Sequence, residues 1–117
     1  MNLRPPKVGL RIWGDSIIIL EVRDLKDVSD GLDGAVREAE HTGLRRLLLD
    51  LTAVDEVYGP GLAALRSIRD RWTSLGGLIV VEGPSNRLQS MIVLCTIYSL
   101  YRCFDDRDAA LAALFTM

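Results

Sequence analysis

The sequence is poor in the side chains that build metal centres and covalent cross-links. Its 117 residues include two cysteines, Cys95 and Cys103, which lie eight residues apart without a Cys-x-x-Cys spacing. A disulfide framework or a zinc site needs more such residues at closer spacing, so both cysteines are predicted to be small core residues. His41, the single histidine, has no second ligand nearby and is predicted to lie on the surface. The sequence therefore predicts neither a metal nor a cofactor.

Long hydrophobic runs and a strong charge bias are also missing. No apolar run reaches the roughly 18–20 residues that cross a bilayer, and residues 1–7 lack the apolar core of a signal peptide. We therefore expect a cytoplasmic protein. The net charge is -2 and the arginines alternate with acids, which argues against nucleic acid as a partner. The length and the 49% hydrophobic content fit one compact domain over residues 1–117.

Motifs of catalysis are missing as well, and we expect a protein that is not an enzyme. There is no Walker loop, and the single histidine gives little support for a nucleophilic triad. Asp50 and Asp55 follow a predicted parallel strand, at the position where α/β folds place ligands. Two interpretations of this pair stay open. Either the pair binds a small ligand, or, as we favour, Asp50 caps local amides and Asp55 is solvated.

One stretch, residues 47–62, organises the rest of the chain. Residues 47–51 form an apolar run that only Asp50 interrupts, which predicts a strand buried on both faces of a parallel sheet. Tyr58-Gly59-Pro60-Gly61 then turns the chain into a helix, because proline fits the first turn and glycine permits unusual backbone angles. This helix is predicted over residues 61–75, and its apolar face is formed by Leu62, Leu65, Ile68, Trp72 and Leu75.

The remaining elements follow from the same patterns. Residues 8–13 and 16–22 predict an antiparallel hairpin with Trp13 half covered near the turn. A helix capped by Ser29 or Asp30 and ended by Gly43 comes next. After the second helix we predict a strand at residues 78–81, a helix from residue 84 or 85, a strand at residues 100–104 and a helix opened by acids at residues 105 and 106. This order predicts an α/β fold, a mixed sheet of about five strands with about four helices.

The third predicted helix is unusually apolar. Its apolar residues cover more than the stripe of about 100° that a one-sided surface helix needs. We favour burial of this helix under its neighbours over the alternative, an exposed patch that binds a partner or a second copy through Met91, Val93 and Leu94.

Taken in order, these segments resemble the STAS domain, a family that includes the anti-sigma factor antagonists and the cytoplasmic domains of sulfate transporters. The resemblance rests on Leu-Leu-Asp-Leu-Thr at residues 48–52, on the turn into Gly61-Leu62, and on Gly-Gly-Leu-Ile-Val-Val at residues 76–81. It covers roughly residues 50–114 and is weaker before residue 46. It implies an α/β fold and a role in partner switching and transcription regulation, with a kinase-like anti-sigma factor as the protein partner.

The start of the second helix departs from the family pattern. Family antagonists carry Asp-Ser-Ser-Gly-Leu there, and a partner kinase phosphorylates the first serine. Alignment through Gly61 and Leu62 places Tyr58 at the aspartate, Gly59 at the phosphorylated serine and Pro60 at the second serine. Because a phosphate at this position would break a docked interface by repulsion and desolvation, its absence implies constitutive binding or control through abundance.

The resemblance and the exposed polar face of the second helix together predict where a partner docks. The predicted partner-binding residues are Tyr58, Gly59, Pro60, Gly61, Leu62, Arg66, Arg69 and Asp70. Tyr58 is interpreted either as an aromatic anchor or as a cover for the end of the sheet. Two other functions stay open: a scaffold subunit of a stressosome-like or lipid-transport assembly, and a nucleotide or small-ligand sensor near Asp50 and Asp55.

Overall fold

The computed structural model describes residues 8–23, 31–57, 59–85, 88 and 91–116. Strands and helices alternate along most of these residues, which confirms the predicted α/β class. The strands are β1 (Val8–Trp13), β2 (Ile17–Val22), β3 (Arg46–Asp50), β4 (Leu78–Glu82) and β5 (Cys103–Phe104). The helices are α1 (Gly31–His41), α2 (Gly59–Ser74), α3 (Met91–Leu100) and α4 (Arg107–Thr116).

The five strands form a mixed sheet in which they follow their order in the sequence, β1-β2-β3-β4-β5. Strands β1 and β2 are antiparallel, and Gly14 in the turn between them has a φ of 58°, a value that favours glycine. The other neighbouring strands are parallel. Trp13 is half exposed beside this turn, as predicted, and its ring makes an edge contact with Phe115.

The two faces of the sheet are covered by different helices. Helices α1, α2 and α3 contribute buried residues to the larger core, which includes Leu47 and Leu49 of β3. Helix α4 covers the opposite face, where it packs on Leu48 and Val80. Alternate residues of a strand point to opposite faces, so β3 is buried on both sides, as its apolar run predicted. Among the described residues, no helix is long and apolar enough to cross a bilayer.

The end of α2 is held by Trp72, whose side chain is fully buried. Its indole Nε1 donates to the carbonyl oxygens of Arg45, at 3.1 Å, and Leu78, at 3.2 Å. Gly76 ends the helix with a φ of 78°, as predicted. Gly77 then passes so close to the indole that a Cβ atom there would lie 2.3 Å from Nε1. The indole and Gly77 therefore fix the path from α2 into β4.

The bounds of α2 and of the last strand differ from the prediction by two or more residues at one end. Helix α2 begins at Gly59, two residues early, and Leu75 is 42% exposed rather than packed, because the chain turns away at Gly76. The last strand is two residues long, because the helical pattern of α3 extends until the Tyr101 amide, which donates to the Ile97 carbonyl at 3.0 Å.

The predicted start of the third helix at Pro84 or Ser85 is wrong. Residues 83–85 are not helical, and α3 begins at Met91. Gly83 has a φ of 102° and donates its amide proton to the Phe104 carbonyl at 2.9 Å, so the chain stays beside the sheet after β4. Gly43 ends α1 with a φ of 79°, as predicted, whereas the predicted cap at Ser29 or Asp30 lies outside the described residues.

Candidate functional site

The corner between β3 and α2 is built on Asp50, the last residue of β3. Its Oδ1 accepts hydrogen bonds from the Thr52 amide at 3.0 Å and from the Thr52 hydroxyl at 2.6 Å. Its Oδ2 accepts a hydrogen bond from Nη2 of Arg107 at 2.6 Å. The favoured interpretation of Asp50 as a cap of local amides is therefore confirmed. Asp55 lies exposed further along the same loop.

Arg107, in the first turn of α4, joins the carboxyl ends of β3 and β4. Besides Asp50, its guanidinium binds Glu82, with Nε 2.7 Å from Oε1. Burial acts to lower the pKa of Arg107, but the hydrogen bond to Glu82 and the charges of Glu82, Asp50 and Glu21 outweigh it and raise the pKa above its usual value. The three acids lie side by side in the sheet register, and the cation holds two of them together.

Replacement of Arg107 by methionine is expected to destabilise the protein by about 2 kcal/mol, because Asp50 and Glu82, each 13% exposed, would lose a charged hydrogen-bond partner. Arg37→Met is the matched control. It breaks the exposed pair of Arg37 with Asp33 and should cost about 0.5 kcal/mol or less. Urea denaturation followed by circular dichroism measures the free energy of unfolding of both variants. Equal losses would show that the contacts of Arg107 with Asp50 and Glu82 stabilise the fold no more than an exposed ion pair does.

The predicted partner-binding residues at the start of α2 differ in accessibility. Gly59 and Pro60 are exposed in the first turn, and no atom lies within 4 Å of the position that a Cβ at Gly59 would occupy. Leu62 is half-buried against the core, and Gly61 is buried, so Gly61 packs the helix start rather than presenting a surface. Tyr58 lies outside the described residues.

The charged residues further along α2 also have different environments. Arg66 and Asp70 are exposed, whereas Arg69 links two helices. The Arg69 guanidinium lies 3.0 Å from the Asp70 carboxylate, and its Nη1 donates to the Leu100 carbonyl at the end of α3 at 3.5 Å. Next to it, the buried Tyr101 hydroxyl donates to the Leu65 carbonyl, and desolvation raises the pKa of Tyr101 well above its usual value. Arg69 is therefore partly exposed, and it also has a structural role because it connects α2 with the end of α3.

Solved structures share the fold of this chain. The structure of a candidate anti-sigma factor antagonist from Thermotoga maritima matches with a TM-score of 0.73 and 15% sequence identity, over 92% of this chain and 94% of that chain. An anti-sigma factor antagonist from Mycobacterium paratuberculosis matches with a TM-score of 0.70 and 22% identity, over 96% and 97% of the two chains. The anti-sigma factor antagonist SpoIIAA, in its unphosphorylated form, matches with a TM-score of 0.69 and 6% identity, over 94% and 97%.

The chain has the STAS-like fold. The resemblance predicted from the sequence is thereby confirmed at the level of the fold, although the identities are low. No family model and no curated protein matches the sequence. Among the described residues, no three side chains of histidine, cysteine, aspartate or glutamate are grouped so that they could hold a metal ion.

Helix α3 departs from prediction within this STAS-like fold. The favoured burial of the helix is wrong, because α3 is short and packs along one side against α2. Ile97 is its one buried residue, Val93 and Leu94 are half-buried against the core, and Met91 and Ile92 are 70% and 79% exposed. The sequence prediction also placed Cys95 in the core, but its side chain is exposed on the same helix, whereas Cys103 is half-buried.

Two structural features of this STAS-like chain, the contacts of Arg107 and the exposure of Ile92, were not assigned to these residues from the sequence. Arg107 is a cation in the first turn of a helix, where the helix dipole disfavours positive charge. That unfavourable position was a signal that a nearby acid must compensate for it. The exposure of Ile92 had no comparable signal, because a uniformly apolar helix has the same sequence pattern whether it is buried or partly uncovered.

Proposed function

We propose that this protein is a regulatory module that binds a protein partner through the first turn and the exposed face of α2. Its partner would be an anti-sigma factor, by analogy with the anti-sigma factor antagonists that share the fold. The sequence resemblance further suggests a kinase-like fold for that partner. On this proposal the protein is a cytoplasmic regulator without catalytic activity.

One continuous surface carries the proposal. Gly59, Ala63, Arg66 and Asp70 follow one another at spacings of four, three and four residues, so they lie along one face of α2. All four are exposed. Because this face starts at the residue aligned with the phosphoacceptor serine of the family, it supports the same docking position in this chain. Gly59 has no hydroxyl, so the proposed complex is constitutive or is controlled by the abundance of the protein.

The charges on α2 favour Arg66 as the cation that a partner would contact. Arg71 is engaged by Glu40 of α1, with Nη2 2.9 Å from Oε2, and Arg69 is engaged by Asp70. Within the described part of the chain, Arg66 has no such acidic neighbour. An acidic group on the partner could therefore pair with Arg66 without breaking an existing contact.

Capture of the partner from an extract of the native cell tests this proposal. Arg66→Glu should reduce recovery of an anti-sigma factor more than tenfold by quantitative mass spectrometry, because like charges across an interface cost several kcal/mol. Arg37→Glu, on the exposed face of α1, is the matched control and should capture as the wild type does. Arg69 is left unchanged because it bridges α2 and α3. Equal recovery by both variants would exclude this face of α2.

The exposed side chains of α3 favour a second candidate function, a scaffold subunit of a larger assembly. Met91 and Ile92 form an apolar surface that the described part of the chain does not cover. The third hypothesis, a nucleotide or small-ligand sensor, loses support because both oxygens of Asp50 already accept hydrogen bonds within the protein.

A further inference from the structure

The outer face of α3 forms a shallow groove of about 500 Å³. The lining residues are Met91, Ile92, Cys95, Thr96 and Ser99, which spacings of one, three or four residues place on one side of the helix. Among these five residues the large side chains lie in the first turn and the small ones in the second and third turns, while Tyr98, next to Ser99 in the third turn, is 55% exposed. The groove is therefore raised at one end and hollow at the other.

We propose that this face is the contact between two copies of the chain, with α3 packed antiparallel to α3 of the second copy. A two-fold axis near Cys95 would place Met91 of each copy over Ser99 of the other. Large residues then fill the hollow left by small ones, and the same patch serves both copies, as a two-fold interface requires. The large-to-small gradient among the lining residues is thus self-complementary.

Charge and hydrogen bonding also favour a second copy as the occupant. None of the ten residues of α3 is charged, so pairing the helix with itself brings no like charges together and desolvates no charged side chain of the helix. The Thr96 hydroxyl donates to the Ile92 carbonyl and the Ser99 hydroxyl to the Thr96 carbonyl, both at 2.8 Å. Their protons already have acceptors, so burial of Thr96 and Ser99 leaves neither hydroxyl donor unsatisfied.

The size of the helix limits the strength of the contact. Ten residues span about 15 Å at about 1.5 Å per residue. An interface built on one such helix is smaller than the roughly 1,200–2,000 Å² of stable complexes, so the dimer should be weak and reversible. This inference does not depend on the partner-binding proposal, because none of the lining residues belongs to α2.

Sedimentation velocity over a range of protein concentrations tests the pairing. The weight-average mass of the wild type should rise towards twice the monomer mass, and Ile92→Asp should remain monomeric at every concentration. Ile92 is 79% exposed, so the change should not disturb the fold. Leu75→Asp places the same charge at an exposed apolar residue outside α3 and should associate as the wild type does. A monomeric wild type, or association by the Ile92→Asp variant, would overturn the proposal.

Oxidative cross-linking locates the axis. Packed helices have axes about 8–10 Å apart and Cα atoms about 2.3 Å from each axis, so facing Cα atoms lie about 3.5–5.5 Å apart. This separation overlaps the range of about 4.4–6.8 Å that a disulfide spans. The variant Cys103→Ala, which keeps the exposed Cys95, should therefore form a covalent dimer on treatment with copper phenanthroline.

The variant Cys95→Ala is the control for the cross-link. It keeps Cys103, which is half-buried and whose pKa burial raises to about 11, so the thiol stays protonated and unreactive near neutral pH. This variant should stay monomeric after oxidation. A covalent dimer through Cys103, or none through Cys95 at concentrations where sedimentation shows association, would contradict a two-fold axis at Cys95.

Discussion

Replacement of Gly77 by alanine is expected to destabilise the protein by about 3 kcal/mol, at the upper end of what an overpacked core costs. The added Cβ would lie 2.3 Å from Nε1 of Trp72 and 2.9 Å from the Trp72 carbonyl oxygen, both closer than atoms can approach. The indole cannot yield easily, because it is fully buried and hydrogen-bonded to two carbonyl groups. Urea denaturation followed by far-ultraviolet circular dichroism measures the loss.

Two comparisons test whether the clash between the new Cβ and the Trp72 indole causes this loss of stability. Gly34→Ala, at an exposed helical position with no atom within 4 Å of the new Cβ, should be neutral or stabilise by up to about 1 kcal/mol. In a Trp72→Leu background, Gly77→Ala should cost much less than in the wild type, because the clashing ring is gone. Additive losses from the two changes would show that the indole does not constrain Gly77.

Introduction of glutamate at Gly59 is expected to weaken binding of the proposed partner at least a hundredfold, about 2.7 kcal/mol. On the alignment that the sequence resemblance implies, the new carboxylate would stand where family antagonists carry their phosphoserine. On the proposed docking mode, an unpaired charge at the centre of the interface is costly to desolvate. The fold should tolerate the change, since the site is open and an acid suits the start of a helix. Affinity is measured by titration of the partner isolated in the capture experiment.

The matched control is Gly34→Glu, which adds the same charge at an open glycine of α1. It should bind the partner as the wild type does. If both variants bind normally, the first turn of α2 is not in the interface. If both bind weakly, the effect of the charge is not specific to the corner.

The sequence was sufficient to predict the elements in which the local residue types restrict the backbone conformation. The run of leucines in β3, the turn at Gly14 and the helix ends at Gly43 and Gly76 were all predicted, because buried apolar strands and positive φ angles restrict the residues that can occupy them. The order of elements then left few topologies for the sheet, and the observed mixed sheet is one of them.

Predictions failed where the outcome depends on what lies next to an element. Whether α3 is buried depends on how much of it α2 covers, and its sequence is apolar in either case. The bond from Arg69 to the Leu100 carbonyl was not predicted, because it depends on where α3 ends, and Arg69 itself stays a predicted docking residue. Arg107 binds Asp50 and Glu82, which lie 57 and 25 positions before it in the chain, and sequence spacing does not reveal such contacts.

The order of strands in the sheet has a consequence for synthesis of the chain. Each strand pairs with the one before it in the sequence, so a strand that leaves the ribosome meets a sheet edge that is already present. Helix α4 emerges last of the described elements, and until then the face that contains Ile19, Leu48 and Val80 lacks the helix that covers it. The nascent sheet is therefore expected to be prone to aggregation from that face, and translational pausing before residue 107 should increase its need for chaperones.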